Sequence, residues 1–390
     1  MFLPNNFRFF TAVKKLRIGM VCYPTYGGSG VVATELGKAL AKKGHKVHFI
    51  TYEQPVRLDA FVENIYYHEV GAMSYPLFQS TPYESALASK IVDVSLYENL
   101  DVLHVHYAIP HASSALMAVK ILEEKGKKVP FITTLHGTDI TLVGRDPSFQ
   151  PVVEYSINHS NGVTAVSEQL KQETLKHFAI RKDIDVIPNF IDFSRFKKTD
   201  KEHFKKLIAP GGERIVIHVS NFRKVKRVED CLLAFDKIIK QIPAKLLLVG
   251  DGPERINLEN LCRQLGNCEQ VRFLGKQDAV EDLLAISDLF FLPSESESFG
   301  LAALEAMACE VPVISSNAGG IPEINIHGET GFLSNVGDVE DMARNAIQIL
   351  SDDNTLNTFK AAAFRQAKRF DIEHILPLYE ASYNRVLAGI

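Results

Sequence analysis

Two carboxylates, Glu297 and Glu305, bracket the run Glu297-Ser-Phe-Gly-Leu-Ala-Ala-Leu-Glu305, with seven residues between them. Ser298 and Gly300 suit a helix entry, and Leu301, Leu304 and Met307 form an apolar stripe at helical spacing. The segment therefore reads as a loop turning into a helix. If most of it is helical, a rise of ~1.5 Å per residue sets the carboxylates roughly 10–12 Å apart. Acids that flank a single glycosidic bond sit about 5–9.5 Å apart. This pair is instead spaced to grip two parts of one long ligand, lying along a helix N-terminus that favours a diphosphate.

Three other loops carry chemistry-bearing residues. Tyr23-Pro-Thr-Tyr-Gly27-Gly28-Ser29-Gly30 lies between the first strand and the first helix. Its glycines let the backbone approach a ligand, and the helix start offers N–H groups to an anion. The same loop admits a dinucleotide reading, because Gly28-x-Gly30-x-x-Ala33 fits that fingerprint and Glu53 stands where a ribose-binding acid belongs. The stretch from Tyr23 to Gly27 is long for the tight turn that fingerprint requires. In Thr134-Leu-His136-Gly137-Thr138-Asp139, His136 ends a strand, Gly137 permits close approach, and Thr138 and Asp139 can hydrogen-bond or cap the next segment. A purely structural histidine is the alternative.

In His218-Val-Ser-Asn-Phe-Arg223-Lys224-Val-Lys226-Arg227, four cations fall within five residues. A solvated face is the ordinary reading of such a run, but its place on a strand-to-helix loop favours phosphate binding. No Asp-x-Asp and no His/Cys cluster with metal spacing lies near it, so cationic side chains would stabilise a phosphate leaving group without a metal. Gly250-Asp251-Gly252-Pro253 reads as a plain turn. Backbone groups at Gly275-Lys276-Gln277 could read a base, and Asn317-Ala-Gly319-Gly320-Ile-Pro322-Glu323 is a glycine-rich turn before a short helix.

Strand, loop and helix alternate to position these residues. Leu16–Cys22, Lys46–Thr51, Val102–His106, Phe131–Leu135 and Gly162–Val166 read as strands, with helices at Val31–Lys43 and about Ala112–Glu124. Gly44 closes the first helix. The alternation breaks near Ile187-Pro188-Asn189 and restarts with strands at Arg214–Val219, Lys245–Val249, Val271–Leu274, Leu289–Leu292 and Pro312–Ile314. Helices come after these at roughly 338–351, 355–369 and 372–388. The pattern predicts two doubly wound α/β domains with parallel sheets, joined at about 188–212. Their strand C-termini would line a ligand cleft.

Bulk numbers narrow the class. A chain of 390 residues suits two domains. With 46% apolar and 23% charged residues it reads as a globular enzyme, and a net charge of −4 argues against a nucleic-acid partner. No run approaches the ~20 apolar residues of a membrane span. Residues 1–14 are interrupted by Pro4, Asn5, Asn6 and Arg8 and read as a disordered extension, with membrane contact as the minority reading. Cys22, Cys231, Cys262, Cys268 and Cys309 form no C-x-x-C pair; they read as reduced, buried thiols of a cytoplasmic protein.

With these motifs assembled, the chain resembles the retaining GT-B glycosyltransferases that carry a Glu-x7-Glu motif. The strongest part is Glu297 to Glu305 with Ala306-Met-Ala, then Pro312-Val-Ile and Gly319-Gly320. A narrower likeness runs through Cys22–Gly37, His104–His111, Leu135–Gly144 and Ser220–Arg227. It is to the branch that moves N-acetylglucosamine from UDP-N-acetylglucosamine to the hydroxyl of L-malate, the first step of bacillithiol biosynthesis. The resemblance implies an acceptor-side domain over 15–190, with the helix at about 372–390 packing back on it, and a nucleotide-sugar domain over 191–371. It also implies that the sugar nucleotide is a substrate, with no cofactor and no metal, and it leaves room for a homodimer.

The residue roles implied by the family are specific. Glu305 is similar to the acid at the donor ribose and Glu297 to the one at the sugar hydroxyls. Lys226 matches the diphosphate lysine, with Arg223 compensating for Asn221, which stands where many relatives have arginine. His136 resembles the histidine beside the transferred sugar. Gly27, Gly28 and Ser29 resemble the loop at the donor phosphates and acceptor. The amides of Ser298, Phe299, Gly300 and Leu301 would support the β-phosphate, with Lys276 also on the donor side. Malate is a dianion and needs cations or amide donors; Arg145, Tyr107 and Thr134 are the candidates, with Ser29 as a polar partner. Two readings of other classes stay open, an NAD-linked oxidoreductase and a non-catalytic sugar-nucleotide sensor.

Overall fold

The computed structural model describes residues 14–25, 27–58, 61–71 and 82–389. Residues 1–13 of the expected extension, and Tyr26 in the glycine loop, lie outside the described residues. The chain divides into two compact units. One takes the described residues up to Thr134, Phe149–Val163 and those from Ala381 on; the other takes Leu135–Ser148 and Thr164–Glu380.

The first sheet has seven strands: β1 (Arg17–Val21), β2 (Lys46–Thr51), β3 (Ile65–Glu69), β4 (Val102–His106), β5 (Phe131–Leu135), β6 (Gly162–Ala165) and β7 (Asp185–Val186). Their spatial order is β3-β2-β1-β4-β5-β6-β7, and β1 pairs in parallel with both β2 and β4. The central strands β4 and β5 are buried at every position, as a parallel sheet covered on both faces requires. One face packs on the helices Tyr83–Tyr97 and Ser113–Glu124 through Leu87, Ile91, Ala115, Ala118 and Leu122. On the helix Gly28–Lys42, a Cβ at Gly37 would stand 2.4 Å from the Phe49 ring of β2, so glycine sets how closely helix and strand approach.

The second sheet has six strands: β8 (Arg214–Val219), β9 (Ala244–Val249), β10 (Val271–Gly275), β11 (Leu289–Leu292), β12 (Val313–Ser316) and β13 (Gly331–Ser334). The order is β10-β9-β8-β11-β12-β13, and every pair is parallel. The helices Val228–Ile238 and Val339–Leu350 cover it through Leu232, Phe235, Met342, Ala346 and Ile349. In each sheet the strand order reverses beside its first strand, the switch point where doubly wound folds bind ligands.

Most strands match the sequence pattern within a residue or two. The helix expected from Val31 begins earlier, at Gly28. The sequence pattern predicts no counterpart of β3, β7, β13 or the helix Tyr83–Tyr97. The cysteine expectation needs one correction. All five thiols are free, but Cys268 is exposed while the other four are buried.

Candidate functional site

In the second unit, β8 feeds the loop Ser220–Arg223 and the short turn Lys224–Lys226, after which Arg227 takes a left-handed conformation (φ 48°) to start the helix Val228–Ile238. Phe222 is fully buried and fixes this loop, because its N–H donates to the Asp251 carbonyl and its own carbonyl accepts from Glu254. A Cβ at Gly250 would stand 1.8 Å from the Ser220 oxygen, so the glycine turn read as plain serves as the clamp on the cationic loop. The buried His218 ring holds Ser220 through Nε2 at 2.7 Å and the Phe291 carbonyl through Nδ1 at 2.9 Å. Burial pushes its pKa down to about 4, so the ring is neutral.

The four cations of this loop do not share one role. Arg227 is bound by Asp230 three residues on, at 2.7 and 3.1 Å. Lys226 Nζ lies 2.6 Å from Glu297 Oε2, with 21% and 16% of the two side chains exposed. Asn221 and Arg223 are exposed, and Arg223 N–H donates to the Asn221 carbonyl. The exposed Lys276 comes directly after β10 at the sheet edge, where Gly275 accepts from Gly250 N–H.

The Glu-x7-Glu segment is half loop and half helix. Gly300 (φ 97°) caps the helix Leu301–Ala308, which carries Glu305 in a buried position. The first amides of that helix lack intrahelical acceptors and face outward along its dipole. A Cβ on Gly319 would fall 1.9 Å from the Glu297 oxygen, and one on Gly320 2.4 Å from the Ser298 oxygen. Gly320 N–H also donates to the Glu297 carbonyl. The glycine pair thus lets one backbone press against another and fixes the direction of Glu297. The Phe299 ring is buried edge-on to Phe370, leaving only its backbone for a ligand.

His136 directly succeeds β5 and is mostly buried. Its carbonyl accepts from Ser298 Oγ at 2.6 Å, and the Ser298 carbonyl accepts from Ser167 Oγ at 2.6 Å. Gly137 (φ 122°) has no room for a Cβ, which would stand 2.7 Å from Ser298. His136 and the Glu297 segment are therefore brought together through Ser298. Glu323, which the sequence marks only as part of a turn, accepts from the N–H groups of Glu168 and Gln169 at the start of the helix Glu168–His177.

In the first unit, Gly27 and Gly28 are exposed at the start of the first helix and Ser29 is half-buried. Gly30 sits with its Cα so close to Tyr23 and Thr25 that a Cβ would be 2.5–2.6 Å from their carbonyls. Tyr107 adopts φ 89° and stands edge-on to Tyr23 at 5.3 Å. Two of the acceptor residues read from sequence are already engaged. Thr134 is fully buried, with its Oγ1 2.7 Å from His104 Nε2. Arg145 is bonded to Glu173, which also meets His177 at 3.2 Å.

Chemically, the second unit offers one ammonium, a set of helix-start amides and two carboxylates at fixed positions. That suits a ligand with a diphosphate between two hydroxyl-bearing groups. A family model of group 1 glycosyl transferases matches residues 199–366, and one of glycosyltransferase family 4 matches 26–195. N-acetyl-alpha-D-glucosaminyl L-malate synthase of Bacillus anthracis is 50% identical over 96% of this chain and 98% of its own length. An uncharacterized glycosyltransferase of Methanocaldococcus jannaschii is 30% identical over 86% and 90%.

Solved structures share the fold. Sucrose-phosphate synthase of Thermosynechococcus elongatus aligns with a TM-score of 0.80 at 21% identity, covering 96% of this chain and all of that one. Anabaena HepE, solved with UDP and glucose, aligns with a TM-score of 0.80 at 21% identity, over 95% and 99% of the two chains. The oxidoreductase reading of the glycine loop gives way to these matches. The chain belongs to the group 1 glycosyltransferases and has their GT-B fold.

Proposed function

We propose that this glycosyltransferase moves N-acetylglucosamine from UDP-N-acetylglucosamine to the hydroxyl of L-malate, with retention at the anomeric carbon and without a metal. The observation that carries the donor half is the Lys226–Glu297 pair at the head of the helix Leu301–Ala308, with Glu305 buried in that helix. Lys226 exchanges Glu297 for the donor diphosphate, and the helix amides take the β-phosphate. Glu297 is released to the sugar hydroxyls, while Glu305 holds the ribose. Negative charge grows on the β-phosphate as the sugar becomes oxocarbenium-like, and fixed cations and dipoles stabilise it without reorganisation. Arg223 helps to offset that charge, and His136 stands beside the transferred sugar.

The acceptor half rests on the relative that is 50% identical over nearly the whole chain. Because Thr134 and Arg145 are engaged elsewhere, Ser29 and the helix-start amides at Gly27 and Gly28 are the better first contacts for the malate carboxylates. Five free thiols support a cytoplasmic setting. Among the described residues no helix is long and apolar enough to cross a membrane.

The test is UDP release from UDP-N-acetylglucosamine in the presence of malate, other hydroxy acids or lipid hydroxyls, with the anomeric configuration of the product read by NMR. Malate-dependent release of an α-glycoside that survives EDTA is expected. Release only with another hydroxyl compound would sink the acceptor assignment in favour of a related transferase. Light scattering of the same sample decides between monomer and homodimer.

A further inference from the structure

We propose that His48, His68 and Glu98 form a site for a divalent transition metal, with Zn²⁺ the ion that suits this ligand set. The site would clip the edge strand β3 to β2 and to the helix Tyr83–Tyr97. The transfer chemistry above does not draw on these residues.

Strand pairing brings the two histidines together. β2 and β3 are parallel, with His48 opposite Tyr66 and Ile50 opposite His68. Residues two apart on a strand share a face, so His48 and His68 are diagonal neighbours on the face that carries Ile50. Their rings are nearly parallel, with centroids 5.3 Å apart, and His48 Nδ1 is 3.0 Å from His68 Nε2. Tyr66 stacks on His48 at 4.6 Å and fixes its plane. Glu98 ends the helix Tyr83–Tyr97. One ring nitrogen from each histidine and one Glu98 oxygen all lie within 4.8 Å of one another.

Those separations are close to what an ion needs. Zn²⁺ bonds of about 2.0–2.1 Å in a tetrahedral site put ligand atoms roughly 3.3 Å apart. The histidine nitrogens must open by a few tenths of an ångström, and the side chain at the helix end must close in. The two-histidine, one-carboxylate set leaves one position for water.

A pair of hydrogen-bonded core histidines is the plainer account, but it leaves unexplained the Glu98 carboxylate, which comes within 4.8 Å of a ring nitrogen of each histidine. The charged groups facing the pair are mixed. Glu98 and Asp93 favour a cation at His68, against Lys90, while Lys46 and Arg17 act on His48.

The experiment uses the full chain, stripped with a chelator and titrated with Co²⁺ and then Zn²⁺. One equivalent of Co²⁺ should give the visible bands of a four-coordinate ion, bleached by one equivalent of Zn²⁺. Zn²⁺ should also raise the thermal midpoint. His68→Ala should weaken binding at least about 100-fold, and Glu98→Gln about tenfold or more. Both residues are only partly buried, so these variants keep the fold, whereas replacing His48 would open the core. No bound equivalent, or equal binding in either variant and the parent, would overturn the site. Transferase activity of His68→Ala should stay within about twofold of the parent, so failure here is separable from failure of the proposed function.

Discussion

Replacing Lys226 separates two effects that the structure superimposes. In the free protein its ammonium neutralises Glu297 at 2.6 Å, with less than a quarter of either side chain exposed. In Lys226→Met the Glu297 backbone keeps its place, its carbonyl held by Gly320 N–H, but the carboxylate has lost its counter-charge. Leaving a buried polar group unsatisfied costs about 1–3 kcal/mol, and more when it is charged, so the thermal midpoint should fall by several degrees. The effect on transfer should be larger. A preorganised donor aimed at charge that develops in the transition state is worth about 10²–10³ in kcat.

The double variant Lys226→Met/Glu297→Gln tells the two apart. With both charges gone the unpaired carboxylate disappears, and the midpoint should recover toward the parent, a coupling of about 1–3 kcal/mol between contacting residues. Activity should not recover, because neither the diphosphate cation nor the sugar-binding acid remains. The assay is UDP release under saturating donor and acceptor, beside thermal denaturation of the parent, Lys226→Met, Glu297→Gln and the double variant. Activity of Lys226→Met within about tenfold of the parent, or restored in the double variant, would refute the assignment of Lys226 to the leaving group.

Other consequences can be checked in parallel. Gly319→Ala places a Cβ 1.9 Å from the Glu297 oxygen at φ 57°, so it should cost more than about 2 kcal/mol and reduce kcat by displacing Glu297; unfolding curves and kinetics read both. Glu323→Ala removes the acceptor for two N–H groups at the start of the helix Glu168–His177 and should cost about 1 kcal/mol in denaturant unfolding. Burial lowers the pKa of His104 to about 3, and those of His111 and His218 to about 4. Their neutral forms belong to the folded state, so this stability is complete above the unfolded value of about 6.5 and is lost as pH falls from there toward 4. Each should contribute about 1.4 kcal/mol of loss by pH 5.5, read as a falling midpoint between pH 7.5 and 5.5; a flat midpoint would mean these rings are protonated when folded.

How much of the molecule is legible in its sequence depends on the physics of each element. Strands buried on both faces, such as β4, β5 and β11, are short apolar runs between turn residues and can be read directly. The edge strand β3, Ile-Tyr-Tyr-His-Glu, is only half covered, so no apolar run announces it, and His68 goes unread with it. In the site, the motifs locate the backbone turns correctly because glycines, helix caps and strand ends are local features. Side-chain engagement is not local. Ser298 meets His136 across 162 positions, and Arg145 meets Glu173 across 28. Spacing in one sequence says which residues arrive at a strand end, whereas the partners already bonded to them decide which still have an atom to offer a ligand. Thr134 and Arg145, both reached by partners far away in sequence, show how such engagement escapes a reading by spacing.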